Sequence, residues 1–234
     1  KASGVFNFAQ GAMVLFAALS FARLSEVMPF IVALALSVLI MIALAYAIEF
    51  LVLRHLVNQE GIILFMATLG IAYFLEGFGQ TIWGSDIYKI RLGLPTNPIF
   101  ILESVFPGGL LIDPAEVIAA TICAAMVLVL AVFFQVTRVG RALRAVADDH
   151  QAAQSVGIPL NQIWLMVWAV SGLVALVAGM MWGAKLGVQF SLSLVALKAL
   201  PVLILGGFTS IPGAIVGGLI IGAGEKLAEV FLAP

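Results

Sequence analysis

The sequence predicts an all-α fold: a polytopic transmembrane helical bundle with broken or re-entrant helices. Hydrophobic residues make up 63% of the 234-residue chain and charged residues only 10%, where soluble domains hold roughly 45–50% and about 25%. Mean hydropathy is +1.20, so polar residues are too few to coat a water-soluble core. Several apolar runs also reach about 20 residues, enough to cross a ~30 Å hydrocarbon core at 1.5 Å per residue.

In chain order, residues 4–21 form a first apolar run, interrupted by Asn7, Gln10 and Gly11. Residues 28–48 give the clearest span, with Pro29 suited to a helix's first turn. Residues 61–79 give another, 114–135 open on Pro114 directly after Asp113, and 163–186 form a further span. Residues 194–224 suffice for two short spans, broken by Gly206-Gly207-Phe208-Thr209-Ser210-Ile211-Pro212-Gly213. Such breaks are tolerated at membrane depth only where protein or a wet cavity satisfies the freed backbone groups. Discontinuous helices often mark solute paths. The chain starts on Lys1 and stops on Ala233-Pro234 without a polar tail, so the expectation is that both ends are cut from a longer chain.

Three polar connections separate the runs. Residues 49–60 carry Arg54 and His55. Residues 79–113 hold Pro95, Pro98, Pro107 and Gly108-Gly109, the pattern of a long ordered loop. Residues 136–162 carry Arg138, Arg141 and Arg144, the densest basic cluster. Positive residues favour the cytoplasm, which puts 136–162 inside, 79–113 outside despite Lys89 and Arg91, and 49–60 inside. Glycines recur at four-residue spacing (Gly179, Gly183, Gly187; Gly213, Gly217; Gly218, Gly222), which lets backbones approach closely. Packing within one subunit is the favoured use, a dimer contact the other.

Several chemistries are excluded. A net charge of -1 gives no electrostatic attraction to nucleic acid. Cys123 is the single cysteine, so no intrachain disulfide forms. His55 and His150 lie in polar connections, which argues against a buried metal site. No phosphate-binding loop, HExxH or GxSxG occurs, so neither ATP hydrolysis nor another catalytic cluster is expected, and no cofactor. Asn97-Pro98-Ile99 sits in a proline-rich loop and not at a half-helix start, so it is not a channel tripeptide. Charges inside apolar runs each need a reason, because a buried one costs about 2.5–3.5 kcal/mol. Glu76 and Lys185 stand near helix ends and can snorkel. Lys198, followed by Ala199-Leu200-Pro201, is a candidate for either a structural ion pair or a solute contact.

The 136–162 connection has its own pattern. Val139, Leu143 and Val146, with Ala142 between, make one apolar helical face against Arg141 and Arg144. Asp148 with Gln151 reads as an N-cap followed by its capping-box partner. Gly157 supplies a left-handed stop and Pro159 prevents continuation. A short helix is therefore expected over about residues 149–156.

Three stretches together resemble the branched-chain amino acid permeases of ATP-binding cassette (ABC) importers, a group that includes urea and short-chain amide permeases. The first is Gly4-Val5-Phe6-Asn7-Phe8-Ala9-Gln10-Gly11, similar to the family's N-F-A-[HQ]-G segment. The second runs from Gly140-Arg141-Ala142-Leu143-Arg144 through Asp148-Asp149 and Ala152-Ala153 to Gly157-Ile158. The third is Leu205-Gly206-Gly207-Phe208-Thr209-Ser210-Ile211-Pro212-Gly213-Ala214, continuing into Gly217-Gly218. They follow the family's order across nearly the whole chain. Gln151-Ala152-Ala153, three residues and Gly157 also resemble the E-A-A-x-x-x-G loop that docks ABC permeases on their ATPases, departing from it by Gln151 for Glu and by lacking a later I-x-L-P. The resemblance implies one transmembrane permease domain over 1–234, lacking a helix at each end, with 136–162 as a cytoplasmic coupling loop and 79–113 as a periplasmic loop. It implies a multi-pass protein of a bacterial inner membrane, carrying a branched-chain amino acid or similar small polar solute. Its partners would be a second permease subunit, two cytoplasmic ATP-binding subunits and a periplasmic solute-binding protein. A secondary transporter or channel working alone is the rival, and it should show intramembrane acid or histidine relays. Asn7 and Gln10, at the broken first helix, are the candidate solute contacts, since amides both donate and accept. Satisfying the broken backbone is the other use for them.

Overall fold

The structure, a computed structural model, describes residues 7–57, 59–84, 86–95, 97–101, 110–207 and 210–232. In order they form α1 (Gln10–Val27), α2 (Phe30–Leu51), a 3-10 turn (Leu53–Leu56) and α3 (Gly61–Trp83). An antiparallel hairpin follows, β1 (Ile99–Ile101) and β2 (Leu110–Ile112), with Ile99 opposite Ile112. Then come α4 (Pro114–Val136), α5 (Arg138–Asp148), α6 (His150–Ser155) and α7 (Leu160–Leu186). A second 3-10 turn (Phe190–Leu194), α8 (Val195–Gly206) and α9 (Ile211–Leu232) complete it. Gly4 to Phe6 of the first family-like stretch, Pro107 and Gly108-Gly109 of the long loop, and Phe208-Thr209 lie outside the described residues.

Four segments are long and apolar enough to cross a membrane: Phe30–Leu56, Gly61–Trp83, Pro114–Val136 and Leu160–Leu186. They fall on the four full spans expected. The interrupted first run gives a helix shifted toward the C-terminus, from Gln10 to Val27. The last run, expected as two short spans, gives the short α8 and a 22-residue α9.

α1 is the centre of the fold. Every residue from Gly11 to Ala22 is buried, as a helix apolar on all sides must be when neighbours surround it. α7, α3, α2 and the Phe190–Leu194 turn pack around it. Phe8 meets Phe65 edge-on at 4.7 Å and Phe16 stacks on Phe78 at 6.0 Å, so α1 and α3 run in the same direction. Against α7 the approach is closer still. A Cβ on Gly179 would stand 2.7 Å from the Val14 carbonyl oxygen, so no larger residue fits without parting the helices. The glycine spacing therefore serves packing within the subunit here, and Gly213 and Gly217 do the same between α9 and α8.

Other elements are less embraced. None of the α4 residues is buried, and its chief contact is α5. α9 packs chiefly on α8. α4 is nevertheless well started: Asp113 Oδ1 accepts the Ala115 N–H at 2.9 Å, with Pro114 in the first turn. At the opposite end of α4, Arg141 donates to the Val136 carbonyl at 3.3 Å, where a cation also complements the helix C-terminus. The long loop is held to α7 by paired backbone hydrogen bonds between Tyr88 and Val188, at 3.2 and 2.7 Å. The Tyr88 hydroxyl donates to the Trp83 carbonyl, and the Arg23 guanidinium lies 5.1 Å over its ring.

Candidate functional site

The break before α1 brings three polar side chains together. Asn7 Oδ1 accepts the Ala9 N–H at 3.0 Å, which satisfies a free donor at the helix start. Asn7 Nδ2 donates to Gln10 Oε1 at 3.2 Å and lies 3.5 Å from Ser171 Oγ in the middle of α7. Gln10 Nε2 donates to the Ser171 carbonyl at 3.2 Å, and the Ser171 hydroxyl donates to Gln10 Oε1. All these contacts are partly buried. The cluster thus fastens α1 to α7 and leaves Asn7 and Gln10 half-exposed. Ser171 was not singled out in the sequence, because a serine in an apolar run gives no signal until its partner is known.

Lys198 stands apart from this cluster. It lies on α8, is 71% exposed, and its Nζ is 3.8 Å from Glu225 of α9.

The 136–162 connection folds as two helices. α5 is capped by Thr137, whose Oγ1 accepts the Gly140 N–H at 2.9 Å. Gly140, Leu143 and Val146 are buried, Val139 and Ala142 partly so, while Arg138, Arg141 and Arg144 are exposed. The expected apolar face is therefore present. The cap of α6 falls one residue later than expected: Asp148 ends α5, and Asp149 Oδ1 accepts the Ala152 N–H at 3.0 Å. The cause is that α5 continues to Asp148, which leaves Asp149 as the first extended residue. The side chain of Gln151, the expected capping-box partner, lies outside the described set.

α6 ends as expected. Gly157 has φ +83°, its N–H donates to Gln154 O at 3.0 Å, and the Ile158 N–H reaches back to Ala153 O at 3.1 Å. This doubly bonded left-handed stop requires glycine. Of the two alanines in the docking-like segment, Ala153 is only 3% exposed and belongs to the chain's own core. Ala152, Gln154, Ser155 and Val156 form the outward face, and Val156 is 75% exposed.

Two features escaped the sequence reading. Glu49, assigned to a polar connection, lies in the last turn of α2 and is 3% exposed. Its Oε2 pairs with Arg54 at 3.3 Å, and the Arg54 guanidinium rests 3.9 Å over the Phe50 ring. Glu49 and Arg54 stand five positions apart across the helix end, a spacing that i,i+3 or i,i+4 pairing does not flag. The second feature is a cleft of about 690 Å³ between residues 89–94, the first turns of α4 and the last turns of α7. Lys89, Arg91, Asp113, Glu116 and Lys185 line it, and Lys185 pairs with Glu116 at 2.5 Å. Cys123, Met181 and Trp182 form part of its apolar wall. No group of three or more His, Cys, Asp or Glu residues among the described residues could hold a metal ion.

This arrangement is a helical membrane permease scaffold: a buried central helix, flanking spans, and a capped helix pair between two of them. The family described as "Branched-chain amino acid transport system / permease component" matches residues 1–234, and the chain belongs to it. It is 30% identical to the high-affinity branched-chain amino acid transport system permease protein LivH of Escherichia coli K12, over 82% of this chain and 63% of that protein. Identity to the permease protein BraD of Pseudomonas aeruginosa, of the same described system, is 29% over 97% of this chain and 78% of that protein. The probable branched-chain amino acid transport permease protein LivH of Methanocaldococcus jannaschii is 30% identical over 99% and 74%. The chain spans 64% of the length of the Salmonella typhimurium LivH that it also matches. No solved structure matches.

Proposed function

We propose that this chain is the permease subunit of an ABC importer that carries a branched-chain amino acid or a similar small polar solute across a bacterial inner membrane. The family match along all 234 residues carries this reading. The four spans and the capped α5–α6 pair support it. The chain forms half of the pathway, a second permease subunit supplies the rest, and a periplasmic protein delivers solute. ATP is consumed by two cytoplasmic subunits, and this chain needs no cofactor of its own. The 136–162 connection is cytoplasmic, and 79–113 faces the periplasm. Arg141 and Arg144 on α5, with Asp148, Asp149, Gln151, Ala152 and Gly157, shape the surface that meets the ATPases, while Ala153 anchors that surface to the spans. Reorientation requires that the two access states differ in their contacts, and this loop is where ATP-driven movement arrives. Asn7 and Gln10 touch the solute as it passes the start of α1.

Reconstitution of the intact permease pair with its ATPases and binding protein tests this. Leucine uptake that requires internal ATP is the expected result. Uptake that persists without the ATPases, driven by an ion gradient, overturns it in favour of a secondary transporter.

A further inference from the structure

The cleft beside α4 has three kinds of wall. Lys89 and Arg91 project from the loop side, and neither has an ion-pair partner within 4.0 Å among the described residues. Across from them, α4 offers the carboxylates of Asp113 and Glu116. One oxygen of Asp113 is occupied by the Ala115 N–H, and Glu116 leans on Lys185, with both partners of that pair more than half exposed. Below this rim the wall is apolar. Cys123 lies nine residues beyond Pro114, about 14 Å down the helix axis, with Met181 and Trp182 facing the same space from α7. At about 690 Å³, the space falls within the roughly 300–1,000 Å³ of small-molecule sites.

We infer that this cleft is a vestibule for a zwitterionic amino acid with an aliphatic side chain. Arg91 and Lys89 take the carboxylate, Glu116 takes the ammonium in exchange for Lys185, and the Met181–Trp182 wall receives the apolar side chain. The assignment rests on the amino acid reading above. Charge balance decides it against the phosphate of a lipid headgroup. Three cations and two carboxylates share the rim, so a phosphate would meet repulsion from Asp113 and Glu116 that a zwitterion converts into attraction. Burial also favours a guest over a packed helix pair, since no α4 residue is buried and the gap between α4 and α7 stays open.

Cys123 is a native reporter, exposed and within the cleft. In the intact importer, with all other cysteines removed, it should react with an impermeant methanethiosulfonate reagent added on the Lys89–Arg91 side. Leucine should slow that reaction, and N-acetyl-leucine and leucinamide, which each lack one charge, should protect poorly. Arg91→Gln and Glu116→Gln should each raise the half-protecting leucine concentration about ten-fold, as loss of one charge-assisted hydrogen bond does. Glu60→Gln, at the exposed start of α3 and outside the cleft, should leave it unchanged. An unreactive Cys123, a rate indifferent to leucine, or protection that follows the phosphatidylglycerol content of the vesicles instead would each overturn the vestibule. ATP-driven leucine uptake measured on the same vesicles reads the transport function separately. Uptake without protection sinks the vestibule alone, and protection together with uptake supports both.

Discussion

Gln10 donates to the Ser171 carbonyl and accepts from the Ser171 hydroxyl and Asn7 Nδ2, so Gln10→Leu removes three bonds while Asn7 still reaches Ser171 Oγ. Each lost bond costs about 0.5–1.5 kcal/mol net, which a membrane bundle can survive. The expected outcome is therefore a chain still in the membrane, still holding its ATPases, with leucine uptake reduced by more than the loss of protein. If uptake falls only in step with protein abundance, the amides serve the backbone alone. Glu49 makes a different demand. Arg54 is its partner, and Arg54→Ala leaves a buried carboxylate uncompensated, at a cost toward the low end of the roughly 3–5 kcal/mol of a fully buried pair because Arg54 is itself a third exposed. The thermal midpoint in detergent should drop, and the double substitution Glu49→Leu with Arg54→Leu should restore most of it. Neither residue partner was legible in the sequence. Ser171 lies 161 positions from Gln10, and an acid at the end of an apolar run looks the same whether it meets water or protein.

At the scale of elements, α6 separates two roles that its sequence merged. Val156→Asp alters only the outward face, so the fold should persist while ATPase pull-down and solute-stimulated hydrolysis fall together. Ala153→Asp buries an unpaired carboxylate within the chain's own core, and should lower stability as well as coupling. Equal behaviour of the two variants in a thermal melt would contradict the inward placement of Ala153. Gly157→Val forces a β-branched residue to φ +83°, a strain of roughly 1–3 kcal/mol, and should misaim the outward face without touching any partner. The caps and stops here were legible because they depend on neighbours a few residues apart, and Gly157 fell where the pattern put it. Which alanine faces inward was not, since that depends on where the core under α6 lies.

Across the whole molecule, the four long spans were legible because a bilayer sets a fixed length for any apolar run. The central position of α1 was not. Lipid and protein interior are equally apolar, so hydropathy does not distinguish a helix in the middle from one at the rim. The cleft was hidden for a related reason: its charges come from Lys89 to Lys185, far apart in sequence and joined only by the tertiary fold. With Cys123→Ala as background, Asn97→Cys should label with an impermeant thiol reagent from the periplasmic side and Gln154→Cys only from the cytoplasm; the reverse pattern would invert the topology. The buried position of α1 also has a consequence for how the protein is made. Its main partner, α7, begins at Leu160, 150 positions after Gln10. At about 5–20 residues per second, roughly 8–30 s of synthesis separate a helix from the neighbour that encloses it. During that interval α1 must rest against lipid or the insertion machinery, with Gln10 still lacking its Ser171 contacts. The Gly179 contact closes only when α7 arrives, so the innermost layer of the finished protein is among the last to be sealed.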